Sequence, residues 1–428
     1  MIAGNGNGTE KDMTVAIIGY GTAGVNAIIA LRSAGYEGAI DVFSDTDIAP
    51  YSPILTSYFA GGEKTYDECF PWSTEELAEL NATVHERCPV TELDVNAHVV
   101  RTPQGDISYE KCVIATGATP TTIGFPAVEG GAYEPLVLRS MDDAQRLKEA
   151  LERPGCNRVL VSGASMVALK TLEAALNHGK ETVLVGMNPH VLDFNALPQA
   201  AERFEKGLRE KGVELRFGQT IAAVKRIENA DGNARLEVTF SNGDTDTFDE
   251  IAVAHGMRSN LGFVPEGALE IDRALVVDEF MRTSNPDVYA AGDVVQALEL
   301  ISGEKRVVGI WKNAVVQGAC AGVAIAAELA GEQPSCSDAF TGSIATNTIA
   351  VNGTLFISAG TMEITENRTV EVRETDEMTV VYIFQDDADA AQGRRLVGFN
   401  LVCDHDEEGG VAYDTGAMLT LRIERACR

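Results

Sequence analysis

The sequence predicts an α/β protein in which two βαβ units are followed by a carboxy-terminal α+β module. Three observations predict it. An apolar run, a glycine turn and a helical stretch follow one another in "VAIIGYGTAGVNAIIALRSAG", residues 15–35. The same order returns in weakened form in "VLVSGASMVALKTLEAALNHG", residues 159–179. Beyond residues 331–334 the texture changes to alternating strands and one closing helix.

The chain of 428 residues is long enough for two or three domains. At 45% hydrophobic and 23% charged it has the composition of a globular protein. No apolar run approaches the roughly 18–20 residues of a membrane-spanning helix, so no membrane association is expected. The opening "MIAGNGNGTEKD" lacks a basic region and an apolar core, and so does not read as a signal peptide. This tail is predicted to be disordered, and Met13 offers an alternative start. A net charge of −30 argues against nucleic acid as a partner. It fits either solubility or the steering of a positively charged protein.

The 8 cysteines (Cys69, Cys88, Cys112, Cys156, Cys320, Cys336, Cys403 and Cys427) are scattered, with no CxxC pair. That excludes the usual zinc and iron–sulfur spacings, and reduced thiols in a cytoplasmic protein are expected. Cys112, inside "KCVIATG", reads as a packing thiol.

The first unit opens with a buried parallel strand over residues 15–18, followed by Gly19, Gly21 and Gly24 at GxGxxG spacing. The first glycine makes the tight turn, the second lets a pyrophosphate approach the backbone, and the third lets helix and strand pack closely. Thr22 and Ala23 complete the turn, and the helix over residues 23–34 offers free N–H groups and a positive dipole end to phosphate. "AIDVFSD" supplies the second strand. It also places an acid, Asp45, about 20 residues beyond the loop, where a ribose hydroxyl needs one. Ser44 precedes it. A glycine turn without a ligand is the plainer alternative.

Two later segments narrow the choice. "YEKCVIATGATP" ends a strand on Thr116-Gly117, and "TSNPDVYAAGDVV" ends another on Gly292-Asp293. With the intact loop, they make residues 13–428 resemble the two-dinucleotide flavoprotein disulfide reductase superfamily, the FAD-dependent pyridine nucleotide-disulfide oxidoreductases. The resemblance implies two nested Rossmann-like dinucleotide-binding domains and a C-terminal α+β interface domain. It implies that Asp293 bonds the ribityl chain of FAD. The helix in "IWKNAVVQGACAGVAIA" would aim its N-terminus at the flavin's pyrimidine edge.

By the same resemblance the second unit binds NADH or NADPH. Gly163 is kept, but Ser165 and Ala168 stand where glycine is usual; Met166 lies between them. Serine and alanine are small enough for helix and backbone to stay close. Gly256 in "VAHGMRSN" falls at the family's turn beside the nicotinamide. Relatives usually carry glutamate where this chain has Lys170. "TVLVGMN" offers neither an acid for a ribose nor an arginine for a 2′-phosphate.

The superfamily's CxxxxC is absent: residues 36–70 hold only Cys69. The stretch "APYSPILTSYFAGGE" also lacks the single cysteine of NADH oxidases and coenzyme A-disulfide reductases. Its Tyr-Ser-Pro form resembles ferredoxin and rubredoxin reductases. The flavin-proximal candidates are Tyr51, Ser52, Lys170 and Lys312, with core packing the alternative for Tyr51 and solvent the alternative for Lys312.

The expected boundaries are 1–121 with 256–332 for FAD, 122–255 for NAD(P)H and 333–428 for an interface domain suited to a homo-oligomer or to docking. "CDHDEE", residues 403–408, reads as a solvated acidic loop rather than a metal site. The resemblance implies an FAD-dependent NAD(P)H:acceptor oxidoreductase that exchanges electrons with a one-electron carrier or an iron–sulfur partner subunit. The chain is similar in this respect to NADH-linked flavoprotein subunits of enzymes such as phenylglyoxylate dehydrogenase. An NADH oxidase-like enzyme and a flavin-stabilised structural subunit with an inactive nicotinamide site are the alternatives.

Overall fold

A computed structural model describes residues 14–228, 234–390 and 392–427. The tail over residues 1–12, expected to be disordered, lies outside them.

The β-branched run Thr14–Ile18 is the central strand of a five-stranded parallel sheet in the order Val288–Ala290, Lys111–Ile114, Thr14–Ile18, Ala39–Phe43, Thr83–His85. Its residues from Val15 to Ile18 are buried, as befits a strand covered on both faces. The helix Thr22–Ser33 follows, one residue displaced from expectation, and ends before Gly35 at φ +87°. Between the fourth and last strands of this sheet in chain order lies a separate parallel sheet. Its order is Glu214–Phe217, Glu181–Gly186, Arg158–Ser162, Glu250–Val253. The chain passes from one sheet to the other and back through an antiparallel ribbon of Ala118–Pro120 and Met257–Ser259. The two parallel sheets are therefore nested in sequence, and the strands before and after the insertion close one core.

Trp311–Leu329 packs against the first helix along Gly318 and Gly322, where the backbones nearly touch. A Cβ built on Gly318 would stand 2.2 Å from the Ala23 carbonyl oxygen, and one on Gly322 would stand 2.4 Å from that of Ala27. The late helix is thus held directly behind the first glycine turn.

The carboxy-terminal module is an antiparallel five-stranded sheet ordered Thr346–Val351, Thr354–Gly360, Arg394–Asp404, Met378–Asp386, Arg368–Glu374. The acidic loop expected at residues 403–408 is not a loop. The strand continues in register to Asp404 opposite Thr354, and the helix His405–Cys427 begins at once. Its first turn contains positions 406–408. The closing helix accordingly takes in positions 405–408, expected to be part of a loop.

Candidate functional site

The glycine turn of the first unit is built by close backbone approach. Gly19 has φ +108°, and a Cβ there would stand 2.4 Å from the Ala115 carbonyl oxygen. A Cβ on Gly24 would meet the Gly19 oxygen at 2.2 Å, so Gly24 serves packing and does not line the cavity. Gly21 differs: a Cβ there meets nothing within 4 Å. It is the N-cap of Thr22–Ser33 and provides no side-chain cap, leaving helix N–H groups free. The hydroxyl of Thr22 is buried and has no hydrogen-bond partner among the described residues. Open backbone, a free helix start and an unpartnered hydroxyl fit a pyrophosphate.

A cavity of about 630 Å³ begins at this turn, and the lining includes Gly19, Gly21, Thr22 and Ala23. Ser44 and Asp45 line it from the end of the second strand, with Thr116 and Gly117 from the third and Gly292 and Asp293 from the last. These predicted residues, more than 270 positions apart in chain order, are thus brought to one wall. Gly117 (φ +64°) and Gly292 (φ +89°) are left-handed turns. Tyr51 also lines the cavity while packing edge-on to Phe70, and burial pushes its phenol pKa up.

Two further lining residues, Arg139 and Asn260, shape this wall. Arg139 Nη2 donates to Asp293 Oδ2 at 2.6 Å, a charge-assisted bond that holds the carboxylate expected to face a ribityl chain. Asn260 donates through Nδ2 to the Thr116 carbonyl and accepts the Thr119 hydroxyl, which locks the Thr116–Thr119 turn to the returning segment. Both residues come from parts of the chain that only the fold brings alongside the first glycine turn.

A second cavity, of about 570 Å³, surrounds the weakened turn, with Gly163, Ser165 and Gly256 on its wall. Gly163 repeats the geometry of Gly19: φ is +126° and a Cβ would stand 2.6 Å from the Ala254 oxygen. Ser165 is the N-cap of Met166–Asn177, and its hydroxyl accepts from the Ala168 N–H at 3.3 Å. The serine that replaces a glycine therefore takes up one N–H that the first helix leaves open. His255 lines the cavity too. Its Nδ1–H donates to the Ile123 carbonyl at 3.0 Å, so its Nε2 accepts from the Ser162 hydroxyl at 2.9 Å. Burial lowers its pKa and favours this neutral form.

Pro120, on the crossing ribbon, lines both cavities, which therefore adjoin. Besides Gly24, four candidates stand outside the two linings. Met166 packs against the core, and Ser52 is engaged through its backbone, with Cys69 and Leu55. Lys170 pairs with Glu173 and lies over the Tyr58 ring at 4.1 Å from its centroid. Lys312 has a side chain 72% exposed, 3.9 Å from Glu424, whereas its neighbour Trp311 lines the first cavity.

The model of the pyridine nucleotide-disulphide oxidoreductase family matches residues 13–318. Rubredoxin-NAD(+) reductase of Pseudomonas putida is 31% identical over 310 residues, 71% of this chain and 78% of that protein. The NADH-dependent phenylglyoxylate dehydrogenase subunit epsilon of Aromatoleum evansii is 27% identical over 368 residues, 86% of this chain and 83% of that one. The fold is shared with the covalent putidaredoxin reductase–putidaredoxin complex. That match has a TM-score of 0.79 at 22% identity and covers 96% of this chain and 94% of the other. A glycine-turn cavity in each parallel sheet, and a family match that spans both, lead to one assignment: the chain belongs to the pyridine nucleotide-disulphide oxidoreductase family and is an FAD- and NAD(P)H-using oxidoreductase.

Proposed function

We propose that this chain passes electrons between a nicotinamide dinucleotide and a one-electron carrier, either a small carrier protein or an iron–sulfur partner subunit. The observation that supports this most is the meeting of the two cavities at Pro120, each with its own glycine turn in its lining. Two extended dinucleotides laid from those turns would bring their ring ends to the crossing ribbon. FAD, when bound, accepts a hydride and releases its two electrons singly. The chain's own residues hold and shape. Gly19, Gly21 and Thr22 would cradle one pyrophosphate, Asp45 a ribose, and the Arg139–Asp293 pair the chain leading to the ring. Gly163 and Ser165 would hold the second pyrophosphate, and Gly256 leaves room beside the ring that exchanges hydride.

Among the described residues no cysteine lines either cavity, and Cys69, the thiol nearest in sequence to the Tyr51 segment, is fully buried. Burial raises its pKa. A thiolate relay therefore has no support here, and the electrons must leave to another molecule. Relatives named rubredoxin-NAD(+) reductase and putidaredoxin reductase point to the same class of acceptor.

The test is anaerobic mixing of the flavin-loaded protein with NADH or NADPH, followed by addition of an oxidised rubredoxin or ferredoxin. Bleaching of the flavin's visible band, then its return as the carrier is reduced, is expected. No bleaching with either nicotinamide would refute the proposal. So would bleached protein that reoxidises with oxygen but with no carrier.

A further inference from the structure

The strand Glu181–Gly186 ends in Gly186-Met187-Asn188, so the usual place for a ribose-reading acid is empty of one. The loop beyond it compensates. Leu192 is 1% exposed and adopts φ +58°, a conformation in which a bulky side chain is strained. The strain is held by a built loop. The Leu192 N–H donates to the Ala164 carbonyl at 2.7 Å, which ties the loop to the second glycine turn. The neighbouring Val191 N–H and His190 Nδ1 both engage the buried Glu205 carboxylate at 3.1 Å. Asn400 clamps the far end, donating to the Asn195 carbonyl and accepting from the Leu197 N–H.

The product of this geometry is that Asp193 and Phe194 stand on the cavity wall. Asn188 Nδ2 donates to Asp193 Oδ2 at 2.7 Å and fixes the carboxylate, leaving Oδ1 for another donor. Phe194 is 86% exposed and Met187 72%, yet both line the same cavity; large apolar groups so exposed mark a binding surface. Among the described residues no lysine or arginine lines this cavity.

We infer that Asp193 reads the adenosine ribose and sets the coenzyme as NADH in preference to NADPH, with Phe194 stacking on the adenine. This rests on the reading of the cavity as the nicotinamide dinucleotide site. A ribose diol donates hydrogen bonds to a carboxylate. A 2′-phosphate brings negative charge against it with no cation to answer it. An aromatic face serves either coenzyme alike.

The experiment is calorimetric titration of the flavin-loaded protein with NAD+ and NADP+, which reads binding without turnover. Wild type is expected to bind NAD+ at least tenfold more tightly. Asp193→Ala, which removes a charged hydrogen-bond acceptor, is expected to weaken NAD+ by about tenfold to a hundredfold while NADP+ holds or tightens. Asp193→Asn, which keeps the shape and the Asn188 contact, should move the ratio the same way. Phe194→Ala should weaken both alike. Equal binding of the two coenzymes by wild type, or parallel losses for both in Asp193→Ala and Asp193→Asn, would overturn the assignment. If wild type keeps its flavin yet binds neither coenzyme, the cavity itself is misread and the assignment goes with it.

Discussion

Gly21→Ala separates the fold of the first glycine turn from its proposed use. Gly21 has φ −91° and ψ −168°, an extended conformation open to alanine, and an added Cβ meets no protein atom within 4 Å. The unfolded chain loses freedom on the change, which favours folding by about 0.4–1 kcal/mol. Alanine is a poorer N-cap than glycine, which opposes it by a comparable amount, about 0.5–1 kcal/mol. The apoprotein's stability should therefore stay within about 1 kcal/mol of wild type. The methyl group nevertheless projects from the cavity wall where a pyrophosphate would approach the amides. Losing two charge-assisted hydrogen bonds at about 1.5 kcal/mol each weakens FAD by about 3 kcal/mol, roughly a hundredfold. Urea unfolding of deflavinated protein and fluorescence titration with FAD measure the two quantities separately. Unchanged flavin affinity, or an apoprotein destabilised by more than about 2 kcal/mol, would refute this account of the turn.

Gly318→Ala should do the reverse. Its Cβ would stand 2.2 Å from the Ala23 oxygen, backbone that cannot rotate away, so a loss of about 3 kcal/mol in urea unfolding is expected. Lys170→Met should cost about 2–3 kcal/mol by stranding the buried Glu173 carboxylate, which among the described residues keeps only the Asn352 N–H at 3.0 Å. Because Lys170 lines neither cavity, its rate of flavin reduction by NADH in stopped flow should stay within about threefold of wild type. Asp246 provides a pH test. Burial raises its pKa, but the bonds from Arg158 and Arg216 outweigh burial and hold it down at about 2, against an ordinary 3.8. Its stabilisation is thus complete above about pH 4 and is lost as pH falls towards 2; screening leaves about 1–2 kcal/mol. Asp246→Asn should flatten that part of the stability–pH curve, and an unchanged curve would count against the ion-pair cluster.

Much of this protein was legible locally. The apolar runs before Gly19 and Gly163 became central parallel strands, and the helices after them began within a residue or so of the glycine spacing. The change of texture after residue 334 became an antiparallel sheet. The acidic run after Cys403 reads as solvated loop in isolation, whereas the structure makes it strand end and helix start. Only pairing of Asp404 with Thr354 carries the strand to the helix.

The candidate site divides the same way. Most residues inside the motifs came to the cavity walls because a glycine turn dictates its own geometry over five or six positions; Gly24 and Met166 pack instead. Lys170 shows the limit: its place in the motif is local, but its ammonium is drawn to Glu173 and to Tyr58 on another helix. Arg139 reaches Asp293 across 154 positions, and no pattern along the chain announces that bond. Asp193 lies beyond the strand whose end usually carries the acid, and it reaches the cavity through a left-handed Leu192 anchored to Ala164. Strand, turn and helix preferences act between neighbours and can be read one after another. Charge pairing and backbone strain are settled by whichever atoms the packed core brings together, and only the folded chain decides those.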